Sequence, residues 1–214
     1  MPLSGGVRGS CICIQPLTGR DKYWRASMKN TVFYLIGPPG VGKYTVGTII
    51  AERTGARLVD NHYAINPIFA LIEQDGRTPL PDPLWQQVGK VRSAVLETIA
   101  AFSPPDWSFV FTHAASDHPS DAGTCREILS ASERRGARVL VARLSCAPDE
   151  LARRVLAPER RSRMKEMDAD AARINAVAPL FDPGHANVVD IDTTTKTALD
   201  VADIVIAAAE DLLG

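Results

Sequence analysis

Five short apolar segments alternate with amphipathic segments along this chain. The apolar segments have the length of buried strands, and they are Thr31–Ile36, 56–60, 107–112, 137–144 and 187–191. Strands that are buried on both faces and alternate with helices form parallel sheets covered on each side. The pattern therefore predicts an α/β protein, a three-layer α/β/α sandwich with a five-stranded parallel sheet.

Local signals set the ends of the predicted helices. Segment 45–53 can close at Gly55, because glycine adopts the left-handed conformation that ends many helices. The longest helix begins at Asp82-Pro83, with Asp82 as its N-cap and proline in its first turn. Its apolar residues recur at intervals of three and four, and they are Leu84, Val88, Val91, Val95, Ile99 and Phe102. Further helices are predicted over 120–135, 148–156 and 198–213.

A glycine-rich loop joins the first strand to the first helix. It runs from Gly37 to Lys43 as G-P-P-G-V-G-K and matches the pattern G-x-x-x-x-G-K in its required context. Glycines let consecutive N–H groups converge on an anion, and the helix dipole adds positive charge there. A turn without a ligand would need neither the lysine nor its position. The predicted nucleotide-binding residues of this segment are Gly37, Pro39, Gly40, Val41, Gly42, Lys43, Tyr44 and Thr45.

The residue after Lys43 departs from the usual motif. Tyr44 stands where Ser or Thr normally holds Mg²⁺, and a phenol cannot replace a short hydroxyl. The loop resembles that of the nucleoside monophosphate kinases, whose G-K-G-T motif carries the hydroxyl one position later. This resemblance implies that Thr45 contacts the phosphates or the hydrated metal.

The next segments resemble the opening of shikimate kinase and gluconate kinase. The motif K-Y-T-V-G begins at Lys43, the helix ends at Gly55, and the second strand ends in L-V-D-N-H. In those families this strand ends in D-x-D, where the first acid organises hydrated magnesium and the second contacts the acceptor hydroxyl. The resemblance assigns the first role to Asp60, and His62 replaces the second acid. An imidazole can orient a hydroxyl or accept its proton, although His62 could also cap the strand or fill a polar pocket.

The third strand ends in Thr112-His113, so the acid of a Walker B motif is missing from that position. His113 borders the expected cleft together with Asp117 and His118. These three residues form an unconvincing metal cluster. The missing acid weakens any interpretation as a motor or regulatory ATPase.

An arginine-rich segment follows the fourth strand. The sequence D-E-L-A-R-R-V from Asp149 resembles the segment that leads into the lid of nucleoside monophosphate kinases. Six basic residues lie between 151 and 165 against one acid, and they are Arg153, Arg154, Arg160, Arg161, Arg163 and Lys165. The segment predicts a lid over about 153–167, in which Arg154 and Arg160 contact the nucleotide and the transferring phosphoryl group. Alternatively the arginines form a solvated helix face, or Arg161 or Arg163 replaces Arg160.

The segment after the last strand resembles the D-T-[ST] turn that lies beside adenine in these kinases. Thr194 is the predicted contact with the base. The alternative is simple N-capping of the final helix by Thr195.

Composition limits the number of domains, the role of the cysteines and the class of partner. The chain has 214 residues and a net charge of −1, and we expect one domain over 28–214 after a disordered extension over 1–27. Its four cysteines show no metal-binding spacing, and we interpret them as free thiols. Neither an apolar run of ~18 residues nor a secretory signal is present, so we expect a cytoplasmic protein without membrane partners. The basic segment lacks the interleaved aromatic residues of nucleic-acid binders, and we expect a monomer or a homodimer.

These features predict a P-loop kinase with ATP and Mg²⁺. It would move the γ-phosphoryl group of ATP to a hydroxyl of a small polar metabolite or antibiotic. Lys43, Asp60, His62, Arg154 and Arg160 are the predicted catalytic residues, and Thr45 and Asp60 would hold the metal through water. One alternative is a nucleotide-binding switch with weak ATPase activity. Another is a kinase that acts on RNA or another macromolecule.

Overall fold

One parallel sheet forms the centre of the protein. The computed structural model describes residues 28–73, 80–116, 119–158, 160 and 167–211. Within these residues five strands pair in the order β2-β3-β1-β4-β5. The strands are β1 (Thr31–Ile36), β2 (Arg57–Asp60), β3 (Phe109–His113), β4 (Arg138–Ser145) and β5 (Val188–Asp192). The predicted fold class is confirmed, and each predicted strand is present within two residues of its expected bounds.

Seven helices occur in the described part of the chain. They are α1 (Lys43–Thr54), α2 (His62–Phe69), α3 (Asp82–Phe102), α4 (Pro119–Arg134), α5 (Pro148–Val155), α6 (Ala169–Val177) and α7 (Ala198–Asp211). Two of them, α2 and α6, were not predicted. Helix α2 is eight residues long and contains Pro67, which usually ends a helix rather than lying inside it. Helix α6 begins at a side-chain cap, because Asp168 accepts hydrogen bonds from the amides of Asp170 and Ala171.

The two faces of the sheet bury different sets of helices. On one face, Phe33 and Leu35 belong to a core cluster that includes residues of α1, α5, α6 and α7. On the other face, Val32, Tyr34 and Ile36 pack with residues of α3 and α4. Successive residues of a strand point to opposite faces, so β1 supplies both cores and the three layers follow.

Three details of the predicted helices are wrong. Asp82 is not the N-cap of α3, since Pro81 occupies that position and Asp82 is the first helical residue. Phe102, the last residue of α3, is 80% exposed and does not belong to the buried face that includes Ile99. Thr195 does not cap the final helix, because Thr197 exchanges hydrogen bonds with Asp200 in its place.

Other expectations have a mixed outcome. Gly55 does close α1 in the left-handed conformation, with its amide bonded to the carbonyl of Ala51. Cys125 and Cys146 are free and buried, whereas Cys11 and Cys13 lie outside the described residues. The extension over 1–27 and part of the lid, residues 159 and 161–166, also lie outside them. Among the described helices, none is both long and apolar enough to cross a membrane.

Parallel strands place their carboxyl ends along one edge of the sheet, where ligands bind in α/β folds. The phosphate loop follows β1, Asp60 ends β2 and His113 ends β3. A small separate cluster of Ala64, Ile65, Phe69 and Val88 joins α2 to α3. The fold therefore brings the predicted phosphate loop and the predicted acceptor residues to the same edge.

Candidate nucleotide and acceptor site

Three glycines in the loop from Gly37 to Lys43 adopt backbone conformations that other residues rarely adopt. Gly37, Gly40 and Gly42 have φ angles of 143°, 92° and 106°, in the region that favours glycine. A Cβ atom at Gly37 would lie 2.2 Å from the carbonyl oxygen of Leu144, so β4 approaches too closely for a side chain. A Cβ atom at Gly40 would lie 2.5 Å from Cγ1 of Val155 on α5. The loop is therefore packed tightly against the end of β4 and against α5.

Lys43 is directed back across the loop. Its Nζ donates to the carbonyl oxygens of Gly37 and Pro38 at 2.6 Å and 2.8 Å. Tyr44 and Thr45 follow in the first turn of α1, where Tyr44 is half-buried and Thr45 is exposed. All three residues line one cavity, and their contacts with a nucleotide stay predictions.

This cavity has a volume of about 480 Å³ and is strongly cationic. Its lining contains five Lys or Arg side chains, and these are Lys43, Arg153, Arg154, Arg160 and Lys196. Asp60 is the one carboxylate among the lining residues, so their formal charge is +4 in a protein whose net charge is −1. Clefts lined by one sign of charge concentrate ligands of the opposite sign. The cavity is therefore suited to a polyanion.

Asp60 and His62 lie together at the end of β2. Asp60 is 5% exposed, and its Oδ1 accepts a hydrogen bond from Oγ1 of Thr112 at 2.5 Å. His62 Nδ1 lies 3.6 Å from the same oxygen, and this buried nitrogen has no hydrogen-bond partner among the described residues. This separation is longer than a hydrogen bond, but both residues line the cavity, so a carboxylate and an imidazole are available to the same ligand.

His113 forms a different kind of contact. The Tyr34 hydroxyl lies 2.8 Å from Nδ1 of His113, and Nε2 lies 3.5 Å from Oδ1 of Asp121. Burial raises the pKa of Tyr34 and lowers the pKa of His113, so both groups are neutral at pH 7. Tyr34 then donates to Nδ1, and the imidazole proton lies on Nε2 facing Asp121. Because both ring nitrogens face protein groups, His113 is a poor candidate for a base in the cavity.

The turn after β5 forms the opposite wall of the cavity. Thr193 is 2% exposed and borders the cavity, whereas Thr194 is not among the lining residues. The Thr194 hydroxyl bonds to Oδ1 of Asp192 at 2.5 Å and accepts from the amide of Ala147 at 2.9 Å. Hydrogen bonds from the hydroxyl and the amide of Thr194 to Asp192 lower the pKa of Asp192. Thr194 therefore holds the turn together in this structure, and contact with the base stays a prediction.

Some of the remaining predicted residues line the cavity, and others lie outside the described residues. Pro39, Gly40, Val41 and Gly42 line the cavity, while Gly37 lies behind it. Arg160 also lines the cavity. Arg161, Arg163, Asp117 and His118 are outside the described residues.

Four polar lining residues were missed from the sequence, namely Asn61, Thr112, Thr193 and Lys196. Each lies at or just beyond the carboxyl end of a strand, and this position is the signal that could have identified them. Asn61 and Thr112 belong to the acceptor side, next to Asp60. Lys196 belongs to the opposite side, where its Nζ donates to the carbonyl oxygen of Asp192 at 3.0 Å.

Comparison with known proteins gives matches in structure and none in sequence. No family model matches the chain, and no curated protein does. A gluconokinase from Sinorhizobium meliloti 1021 matches over 86% of this chain and 94% of its own, with a TM-score of 0.56 and 18% identity. The chain has the fold of the P-loop kinases.

Two further P-loop kinases show the same similarity. Shikimate kinase from Acinetobacter baumannii, solved with shikimate, matches over 86% of this chain and 94% of its own, with a TM-score of 0.50 and 18% identity. The APS kinase of Mycobacterium tuberculosis, solved with AMPPNP and APS, matches over 85% and 98%, with a TM-score of 0.54 and 12% identity. At these identities the similarity establishes the P-loop kinase fold and leaves the substrate open.

Proposed function

We propose that the protein is an ATP-dependent phosphotransferase with a small hydroxyl-bearing acceptor. One observation carries this proposal: a single cationic cavity holds the phosphate loop at one side and the Asp60–His62 pair at the other. A triphosphate on the loop and a hydroxyl beside Asp60 would share this space. Phosphoryl transfer requires little more than such positioning and the neutralisation of charge.

The donor side follows from the loop. Its backbone N–H groups and the amino end of α1 would bind the β- and γ-phosphates. Lys43 and Arg160 would stabilise charge on the γ-phosphoryl oxygens, since both side chains border the cavity. The turn after β5 would lie beside the base, with Thr194 as the proposed contact.

The residues present fit a hydrated Mg²⁺ ion. Asp60 and Thr45 supply oxygen atoms to the same cavity, and Mg²⁺ prefers oxygen ligands and keeps several waters. When bound, the ion would neutralise charge on the β- and γ-phosphate oxygens. Asp60 also fixes its neighbours, because it accepts from Thr112 and faces His62.

The acceptor side depends on His62. A hydrogen bond from Nδ1 to Asp60, formed when the acceptor binds, would keep the imidazole proton on Nδ1, and Nε2 would then accept the proton of the acceptor hydroxyl. The hydroxyl oxygen would form the new bond to phosphorus as the bond from phosphorus to the β-phosphate oxygen breaks. His62 would retain the proton until product release.

The test is phosphate transfer from γ-labelled ATP to a panel of hydroxylated metabolites and antibiotics, followed by product analysis. We expect one class of acceptor to be labelled, and Lys43→Ala to reduce transfer about a thousandfold or more while circular dichroism stays unchanged. Turnover that survives Lys43→Ala would overturn the proposal. An inactive Lys43→Ala variant that is also unfolded would be replaced by Lys43→Met, which preserves the length of the side chain.

A second candidate function is a nucleotide-binding switch with weak ATPase activity. The observation that favours it is the end of β3, where His113 stands in place of an acid and is bonded into the protein by Tyr34. Calorimetry with ATP and a phosphate-release assay without acceptor separate the two functions. Tight ATP binding with slow hydrolysis and no labelled acceptor would favour the switch, and labelled RNA would favour a macromolecular acceptor.

A further inference from the structure

Arg154 lies at the cavity, yet its guanidinium group is occupied by the protein. Nε donates to Oε1 of Glu150 at 2.7 Å. Nη1 donates to Oγ1 of Thr193 at 3.0 Å, and Nη2 donates to the carbonyl oxygens of Thr193 and Thr194 at 2.8 Å and 3.3 Å. An arginine has five N–H donors, so one remains. The group therefore joins the end of α5 to the turn after β5.

Thr193 connects the same turn to the phosphate loop. Its hydroxyl donates to the carbonyl oxygen of Ser145 at 2.9 Å and lies 3.3 Å from the carbonyl oxygen of Val41. Its amide donates to Ser145 as well, at 2.9 Å. Because Thr193 is 2% exposed, these contacts are shielded from water. The loop, β4 and α5 thus meet at one buried hydroxyl.

Helix α5 also contacts the loop directly. A Cβ atom at Gly40 would lie 2.5 Å from Val155 and 3.2 Å from Leu151, two residues of α5. Any movement of α5 therefore presses on the loop or leaves a gap beside it. Arg154 joins this helix to the turn after β5. Glu150 lies on the same helix and holds the Arg154 side chain in place, and hydrogen bonds from Arg153 and Arg154 lower the pKa of Glu150 to about 2. Glu150 is consequently charged over the whole physiological range of pH.

We propose that Arg154 is a positioning residue: with Thr193 it braces the turn after β5 and α5 against the phosphate loop. This proposal rests on the proposed nucleotide site and deepens it. It replaces the direct contact with the phosphoryl group that the sequence predicts for Arg154. Arg160 and Lys43 then supply the positive charge at the γ-phosphoryl group, and Arg154 keeps α5 and the turn after β5 in position beside the phosphate loop.

The brace predicts a specific division of kinetic effects. Arg154→Ala should weaken ATP binding about tenfold, the equivalent of one or two lost hydrogen bonds, while turnover at saturating ATP changes less than threefold. Arg154→Lys should behave like Arg154→Ala, because an ammonium group cannot donate to Glu150, Thr193 and Thr194 together. A direct charge contact predicts the reverse, namely a large loss of turnover that Arg154→Lys restores.

A double-mutant cycle tests the partner. Thr193→Val removes the hydroxyl and preserves the size of the side chain, and we expect it to weaken ATP binding about tenfold. If the two residues act as a unit, Arg154→Ala/Thr193→Val should weaken binding about tenfold to twentyfold rather than about a hundredfold. Arg153 is the matched control, because it has the same charge, the same helix and the same partner Glu150. The cycle of Arg153→Ala with Thr193→Val should be multiplicative.

The measurements are ATP dissociation constants by calorimetry, turnover at saturating ATP, and urea unfolding without nucleotide. The unfolding cycle should show the same coupling of Arg154 to Thr193, and it does not depend on any activity. Multiplicative effects of Arg154→Ala and Thr193→Val on both ATP binding and unfolding would overturn the brace. A wild-type protein that binds ATP but labels no acceptor would overturn the kinase function and leave the brace standing. If Arg154→Ala does not fold, Arg154→Lys decides the question by the same criteria.

Discussion

Tyr44 and Thr45 lie in the first turn of α1, where we propose that one hydroxyl contacts the phosphates. Tyr44 stands at the position of the usual hydroxyl, and Thr45 follows it with an exposed side chain that borders the cavity. Their different chain lengths allow only the threonine to present a hydroxyl close to the backbone. Substitutions at these two residues therefore test the resemblance to the nucleoside monophosphate kinases.

Thr45→Val should reduce turnover with ATP and Mg²⁺ by about tenfold to a hundredfold, because it removes one oxygen that would contact the phosphates or the hydrated metal. Tyr44→Phe removes the neighbouring hydroxyl and should reduce turnover less than threefold. The measurement is turnover at several Mg²⁺ concentrations, where only Thr45→Val should require more metal. A larger loss in Tyr44→Phe than in Thr45→Val would assign the role to Tyr44 instead, and equal losses would contradict a special role for Thr45.

His113 allows a prediction about stability and pH. Burial lowers its pKa below the usual 6.5, while Asp121 opposes this shift and the nearby cations Arg92 and Lys43 add to it. The unfolded chain therefore binds the proton first as pH falls below about 6.5. Stability should decrease as pH falls from there towards the lower folded pKa, with a slope of up to about 1.4 kcal/mol per pH unit.

The comparison variant is His113→Gln, whose amide oxygen can still accept from Tyr34. Urea unfolding between pH 7.5 and 5 should show the free-energy gap between wild type and variant narrowing as pH falls. Titrating groups away from His113 affect both proteins equally and cancel in the difference. Asp121 does not cancel, because His113 helps to lower its pKa, but that lowered pKa lies below the range from pH 7.5 to 5. Parallel pH curves would show that His113 has an ordinary pKa in the folded protein.

At the scale of elements, two helical glycines have opposite surroundings. A Cβ atom at Gly47 in α1 would lie 2.9 Å from Cδ1 of Leu58 and 3.3 Å from Cγ1 of Val110, whereas at Gly89 in α3 it would meet nothing within 4 Å. Gly89→Ala should stabilise the protein by about 0.5–1 kcal/mol, because alanine favours the helix. Gly47→Ala should destabilise it by about 1 kcal/mol, because overpacking against β2 and β3 exceeds that gain.

Urea unfolding of the two variants measures both free energies under the same conditions. Equal stabilisation by the two substitutions would mean that Leu58 moves aside freely and that α1 does not need a glycine to approach the sheet.

The elements also show what the sequence could and could not predict. The bounds of β1 were predicted correctly because six apolar or β-branched residues lie between polar residues, and all six are buried. Helix α2 was missed because Pro67 interrupts its pattern. Likewise, nothing in the residue Arg154 distinguishes a lid contact from a brace. That difference depends on the carbonyl groups of Thr193 and Thr194, which lie 39 and 40 positions away.

At the scale of the molecule, charge and topology converge on one edge. The order β2-β3-β1-β4-β5 places β1 in the centre, so the phosphate loop lies between the acceptor residues after β2 and the turn after β5. The pattern of strands and helices predicted this edge, and the motif predicted the loop. The acceptor could not be predicted in the same way, because His62 departs from the D-x-D motif that it was compared with and Thr112 comes from a strand end without a motif.

The folded domain is predicted to begin at Met28. Met28 is 1% exposed and belongs to the larger core cluster, and its carbonyl oxygen accepts a hydrogen bond from the hydroxyl of Ser108. Nδ2 of Asn30 donates to the carbonyl oxygens of Arg135 and Gly136 at 3.1 Å and 3.0 Å. A chain that begins at Met28 retains all these contacts, so its free energy of unfolding should lie within about 0.5 kcal/mol of the full chain.

A chain that begins at Thr31 loses the buried methionine and the bonds of Asn30, and it should be less stable by about 3 kcal/mol. Urea unfolding of the three proteins, with equal slopes as the check that each unfolds in two states, measures the difference. The comparison isolates three residues, because both shortened chains lack residues 1–27. A loss of more than about 1 kcal/mol in the chain that begins at Met28 would place part of the folded unit before that residue, and the predicted domain boundary would then be wrong.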